Sequence, residues 1–171
     1  MDFEEIKSLL KSQFEDDVVS IDTDATPNAL LIQPAAVKAI CVFCRDHKQL
    51  YFYMLSCLTG IDNGPEEATM EVVYNLYSIP FGHSLMLKTI IDRRKPEIAS
   101  VAKIWRTAEW HEREAFDLLG IRFRGHPDLR RILLPDDWIG HPLRKDYVEQ
   151  DKYHGVTVVY DRDENQDPDR K

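Results

Sequence analysis

The spacing of apolar residues changes period several times along the chain. In residues 2–15, Phe3, Ile6, Leu10 and Phe14 share one stripe, with Glu4, Glu5 and Lys7 outside it, which predicts an amphipathic helix. Two short apolar runs follow, 18–21 and 29–32, and the turn-rich stretch 22–28 between them predicts a hairpin. Pro34 suits the first turn of a second helix. That helix reaches about residue 45 and would bury Ala36, Val37, Ile40, Phe43 and Cys44. Three strands are then expected. The run 50–58 is densely apolar. Residues 70–79 place Met70, Val72, Tyr74 and Leu76 on one face. Residues 84–91 set Leu85, Leu87 and Ile91 opposite Met86, Lys88 and Ile90. The connecting stretches IDNGPEEA and PFGH read as loops. Helix, two strands, helix, three strands predicts an α+β, two-layer domain with a sheet covered by helices on one face, followed by a C-terminal helix and an extended arm.

That C-terminal part, 110–147, breaks the simple pattern. Its first portion is a helix, with Thr107 as the expected side-chain cap and Gly120 as the expected left-handed stop. Glu109, Arg113 and Asp117 are four apart and can ladder along one stripe. Glu112 shares a face with Ala115, Phe116 and Leu119, whereas Glu114 shares one with Trp110 and Leu118. No orientation buries the apolar residues and leaves every charge in water. Three readings stay open: buried ion pairs within the chain, a partner protein covering the helix, or a solvated helix docked by its apolar edge alone. Past Gly120 the sign changes. From Arg122 to Lys145 six basic residues face three acids, so the segment is +3 inside a chain of net charge −8. Two Gly-His-Pro steps and Pro135 predict an extended arm with tight turns. Its arginines are suited to forked pairing with carboxylates.

Composition narrows the function. A 171-residue chain with 43% hydrophobic and 30% charged residues reads as one soluble globular domain. There is no apolar stretch long enough to span a bilayer and no basic-then-apolar leader at the start. The acidic balance argues against nucleic-acid partners. Cys41 and Cys44 with His47 and Cys57 form a conceivable zinc set. However, Cys44 belongs to an apolar helical face and a second close pair is missing, which favours buried thiols. His111-Glu112 begins like a helical zinc-protease motif, but Ala115 stands where the second ligand would be. His126 and His141 each precede proline in a turn, where a ring bonded to a backbone carbonyl is the simple expectation. No glycine-rich phosphate loop, dinucleotide fingerprint or nucleophile elbow occurs.

The run Glu112-Arg113-Glu114, Asp117, Leu118-Leu119, His126, Arg130, Ile132-Leu133, continued by LLPDDWIGHPLRKDY, resembles the signature of the 30-kDa subunit of the respiratory NADH dehydrogenase, the C-type subunit of NADH:quinone oxidoreductase (complex I) in bacteria. The specific match covers 110–147. The resemblance implies a small mixed-sheet α+β fold and a non-catalytic structural subunit of the hydrophilic arm of proton-translocating NADH:quinone oxidoreductase. It implies docking on the 49-kDa (D-type) subunit near the quinone site. That neighbour houses the quinone pocket and the terminal iron–sulfur cluster together with the B-type subunit, the second implied partner. Contact with the membrane would come only through the complex, on the cytoplasmic face. No cofactor is expected in this chain, while FMN, iron–sulfur clusters, NADH and quinone would sit in other subunits. By the same resemblance Glu112, Arg113, Glu114, Asp117, His126, Arg130 and Arg131 form the signature and subunit interface. Residues 1–147 would be the globular unit and 148–171 an acidic, flexible tail that can lie along a neighbour. Two alternatives accompany this reading. One is the equivalent subunit of a membrane-bound hydrogenase, formate hydrogenlyase or coenzyme-F420-dependent dehydrogenase. The other is a free-standing metal-dependent enzyme using Glu112, His126 or the cysteines.

Overall fold

The computed structural model describes residues 1–157. Helix α1 (Phe3–Phe14) starts in a capping box: the Asp2 carboxylate accepts the Glu5 N–H, and the Glu5 carboxylate accepts the Asp2 N–H. Its stripe buries Ile6 and Leu10 completely and packs Phe3 and Phe14 at the margin. Strands β1 (Val18–Asp22) and β2 (Ala29–Ile32) form the expected antiparallel hairpin. Helix α2 (Val37–Asp46) begins three residues after Pro34, which instead opens a turn closed by Ala36 N–H to Gln33 O. Val37, Ile40, Cys41 and Cys44 are fully buried. Phe43 is only partly buried, because it stacks on His47 and meets Phe14 edge-on at the surface.

Strands β3 (Met54–Gly64), β4 (Thr69–Ser78) and β5 (His83–Asp92) follow. The first lies four residues later than its apolar run predicts. A turn at 48–50 leads into an irregular stretch, 51–53, in which Tyr51 has φ 52°, and Leu50 and Phe52 plug the core. The strand then runs on through Ile61–Gly64, where a loop was expected, because β4 pairs with it along its length. The five strands lie in the order β1-β2-β5-β4-β3, with β2 and β5 parallel and the other pairs antiparallel. The sheet is therefore mixed.

Side chains from α1, α2 and helix α3 (Ala108–Leu119) meet the inward positions of the sheet in one core. Among the elements that escaped the apolar pattern are β6 (Glu97–Ala99) and β7 (Arg122–Arg124), a short parallel pair that ties the chain on either side of α3. Three-residue strands carry too little periodicity to be read. Beyond β7 the chain is an arm with turns and no regular element until the hairpin β8 (Lys152–Tyr153) and β9 (Val156–Thr157). That hairpin is tied to the arm by Tyr153 Oη donating to Asp137 at 2.8 Å and by the His154–Asp137 contact. The acidic tail expected to be flexible, 148–171, begins before this hairpin and contains it, and from residue 158 it lies outside the described residues.

Candidate functional site: the joint between the third helix and the arm

Helix α3 enters from a string of tight turns through 101–107, whose carbonyls take its first N–H groups. Thr107 is therefore not needed as a side-chain cap, and its hydroxyl donates to Leu55 O at 3.3 Å instead. At the other end Gly120 has φ 78° and stops the helix as expected. A helix end leaves its last four carbonyls without intrahelical partners. Here Phe116 O takes the Gly120 N–H at 2.9 Å. The arm supplies the rest. Asp117 O accepts from His141 Nδ1 at 2.9 Å and Arg131 Nη1 at 3.2 Å. Leu118 O accepts from Leu143 N at 3.0 Å, and Leu119 O from Arg144 Nε at 2.7 Å. Two of these donors are guanidinium groups at the negative end of the helix dipole.

The Asp117 side chain, fully buried, is the hub. Oδ1 accepts from Arg131 Nη1 at 2.7 Å. Oδ2 accepts three successive backbone N–H groups, from Ile132, Leu133 and Leu134, at 2.8–3.0 Å. Burial pushes this carboxyl up, but the Leu134 N–H, the Arg131 guanidinium and the Ile132 and Leu133 N–H groups outweigh it and hold it below the usual carboxylate range. Arg131 also donates to Trp138 O and Gly140 O through Nη2. One side chain thus holds the helix and two turns of the arm.

The other signature residues divide by face. Glu112 is fully buried: Ser100 Oγ donates to it at 2.6 Å and Val101 N–H at 2.7 Å, and no cation pairs with it among the described residues. Burial pushes its carboxyl up to about 7, against the pull of those two hydrogen bonds. It joins α3 to the 100–102 turn inside the fold and has no surface to offer a partner. Arg113 donates to Arg130 O and Arg131 O and lies 5.3 Å from the Trp110 ring centroid. The expected Glu109–Arg113–Asp117 ladder does not form among the described residues, because arm carbonyls and N–H groups claim both Arg113 and Asp117. His126 behaves as a turn histidine, with Nε2 against Glu109 O at 3.0 Å and Nδ1 accepting the Asp128 N–H. Arg130 pairs only with Asp128 in the open, and Glu114 is exposed without an ion pair among the described residues. Of the three readings open for the charged helix, ion pairing within the chain is the one adopted by Asp117, while Glu112 is satisfied by neutral donors.

The chain has a second fastening that the sequence did not suggest. Arg93, after β5, donates through Nε and Nη2 to Asp62 at the end of β3 and bonds Asp146 on the arm. Asp62 also takes the Lys145 N–H at 2.8 Å and the Gly64 N–H at 3.1 Å. The Arg93 guanidinium holds Asp62 far below the usual carboxylate range. An aspartate in an otherwise buried strand position was the available signal, hidden because 61–64 read as a loop.

The cysteines are not gathered. Cys41 and Cys44 are buried in α2, where burial drives their thiols upward, and Cys57 is partly buried on the far face of the sheet. Among the described residues no cluster of His, Cys, Asp or Glu is placed to hold a metal ion, and no helix is long and apolar enough to cross a membrane.

Residues 30–153 match the family model described as respiratory-chain NADH dehydrogenase, 30 Kd subunit. The chain is 44% identical over 154 residues to the NADH-quinone oxidoreductase C-type subunit of Chlorobium phaeobacteroides, covering 89% of this chain and 92% of that protein. It is equally similar to the corresponding C-type subunit of Chloroherpeton thalassium, of which it spans 63%. Among solved structures, a trypsin-resistant fragment of Nqo5 superposes with a TM-score of 0.62 at 24% identity, covering 75% of this chain and all of the fragment. A chain of an archaeal respiratory membrane complex, the membrane-bound sulfane sulfur reductase, superposes with a TM-score of 0.72 at 22% identity, covering 94% of this chain and 96% of that one. These two likenesses concern the fold.

Proposed function

Since the chain belongs to the 30-kDa subunit family of the respiratory-chain NADH dehydrogenase, we propose that it is a non-catalytic structural subunit of the hydrophilic arm of a proton-translocating NADH:quinone oxidoreductase. In this reading it docks on the 49-kDa subunit, with the B-type subunit nearby, beside the quinone site. It lies peripherally on the cytoplasmic side and reaches the membrane only through the complex. The redox groups (FMN, iron–sulfur clusters, NADH and quinone) belong to other subunits.

One observation carries the reading. The polar joint satisfies the buried ends of α3 and the arm from within, and so presents a stiffened apolar surface. Trp110, Leu133, Ile139 and Leu143 are each about two-thirds exposed on that unit. Exposed aromatic and aliphatic side chains on a hydrogen-bonded support that also carries the exposed charges of Glu114 and Arg130 have the composition of a protein-binding face. Glu112, Arg113, Asp117, His126 and Arg131 act behind that face by holding it in shape.

The test is recovery of the tagged chain from solubilised membranes, scored for the 49-kDa subunit. Wild type brings it down. Ile139→Asp with Leu143→Asp, both at exposed positions, leaves the fold's melting temperature near wild type and abolishes recovery. Arg131→Glu, which breaks the joint itself, also blocks assembly. Normal incorporation of the double variant refutes docking through this face. A wild-type chain that brings down a hydrogenase or formate-hydrogenlyase large subunit instead reassigns the complex while keeping the family.

A further inference from the structure

The opposite side of the molecule is also unfinished. An antiparallel sheet with one face in water ordinarily turns polar residues outward. Here the register lines up outward residues in rows across β3, β4 and β5: Met54 beside Tyr77, Cys57 beside Asn75 and Met86, Thr59 beside Val73 and Lys88, and Ile61 beside Glu71 and Ile90. Met54, Ile61, Tyr77 and Ile90 are 44%, 42%, 38% and 40% exposed, so nothing among the described residues covers them. Exposed large apolar residues thus stand at both ends of the face, with Asn75, Thr59 and Lys88 in the rows between them, the mixed apolar and polar make-up of an interaction surface.

The charges in the patch say what fits it. Lys88 Nζ lies 2.7 Å from both the Asp22 and the Glu71 carboxylates. Glu71 also accepts from Asn63 Nδ2 at 3.1 Å and Asp22 from the Asp24 N–H at 3.1 Å, but both of these donors are neutral, so one ammonium balances two carboxylates and the cluster keeps a net negative charge. Covering it with an apolar surface alone would strand that negative charge in a dry interface. A second copy of the chain would do worse, since a two-fold interface brings two such centres to the same face.

We infer that the outward face of the five-stranded sheet is a second docking surface, occupied by a partner protein whose contact face is aliphatic and contributes a lysine or arginine to the Asp22–Glu71 pair. This rests on the reading of the chain as a subunit of a larger assembly.

Cys57, in the middle of the face, is a built-in reporter, and the buried Cys41 and Cys44 serve as internal references. Maleimide labelling is compared between the isolated chain and the membrane-extracted assembly. Labelling of Cys57 at least tenfold slower in the assembly is the expected result. Tyr77→Glu and Ile90→Lys, at exposed positions, are expected to keep the wild-type melting temperature. They should lower recovery of the assembly at least tenfold, and Glu71→Gln about threefold. Equal labelling rates, or wild-type recovery of Tyr77→Glu and Ile90→Lys, overturns this inference alone. A wild-type chain that is dimeric by light scattering, with a monomeric Tyr77→Glu variant, overturns it in favour of a second copy. A wild-type chain found in no assembly overturns the subunit reading and this inference together.

Discussion

Glu112 and Asp117 are both carboxylates of α3 with no exposed surface, yet their surroundings push them in opposite directions. Glu112 has two neutral donors, and the groups that face it from α2 and β4 are the Cys41 thiol and the Tyr74 hydroxyl, neither of them cationic. Its folded value near 7 lies above the unfolded one, so the folded state binds its proton more tightly. Its contribution is fully present below about pH 4.5 and is lost as pH rises to about 7, for a total of about 3 kcal/mol at about 1.4 kcal/mol per pH unit. Glu112→Gln keeps an acceptor for Val101 and a donor for Ser100. The variant should therefore be more stable than wild type at pH 8 by up to that amount and nearly equal at pH 5, as read by urea denaturation at the two pH values. Asp117 has the reverse sign. Its folded value is depressed, so its stabilisation is present above the ordinary aspartate range and disappears as pH falls through the folded value. Asp117→Asn puts a donor among three N–H groups and leaves Arg131 without its anion. A loss of about 3–5 kcal/mol is expected, with fast amide exchange confined first to Ile132, Leu133 and Leu134.

At the scale of elements, the end of α3 and the arm are one structure. Gly120 shows how closely they meet. A Cβ there would lie 2.6 Å from His141 Nε2 and 2.9 Å from Arg144 Nη2, on a backbone with φ 78°. Gly120→Ala should therefore cost about 1–2 kcal/mol for the left-handed conformation and more for displacing the two side chains that cap Asp117 O and Leu119 O. Thermal melting of the variant beside Arg144→Ala, which opens the same cap without the backbone strain, separates the two effects. α1, α2, β4 and β5 were legible in the sequence because each repeats its apolar spacing over two or more periods, and the β1–β2 hairpin because a turn-rich stretch separates two short apolar runs. β3 was displaced because Leu50 and Phe52 are apolar for a different reason, as core plugs ahead of the strand. The Asp117 hub could be anticipated as a buried charge needing a partner. Its main partners could not, because they are backbone N–H groups, which every residue but proline carries and no side-chain pattern reveals. Arg93 and Asp62 stayed hidden for a related reason: they meet Asp146 across more than fifty residues of sequence.

Taken whole, the described residues form a helix-covered sheet with an arm fastened to α3 around the Asp117 hub and to the sheet through the Asp62–Arg93–Asp146 cluster. The second has a testable weight. Arg93→Ala removes the cation that two carboxylates share. The 143–147 end of the arm should then exchange its amides faster, while the Ile132–Leu134 amides stay protected by Asp117. Equal protection at both ends in this variant would mean that the Asp62–Lys145 bond holds the arm by itself. Exposed apolar side chains stand on both the joint (Trp110, Leu133, Ile139, Leu143) and the outward sheet strands (Met54, Ile61, Tyr77, Ile90), and the two proposed docking surfaces use these separate sets.

The way the arm grips α3 has a mechanical consequence. Its donors seize the carbonyls of the last turn, which point along the helix axis. A neighbour that tugs on the arm therefore loads the helix lengthwise, in the direction where its hydrogen bonds are stacked end to end. On the same helix Glu112 is bonded to Ser100 and Val101, next to β6, so the loaded helix is also tied to that segment. Both attachments are hydrogen bonds: the arm holds the last carbonyls of α3, and Glu112 holds the Ser100–Val101 segment.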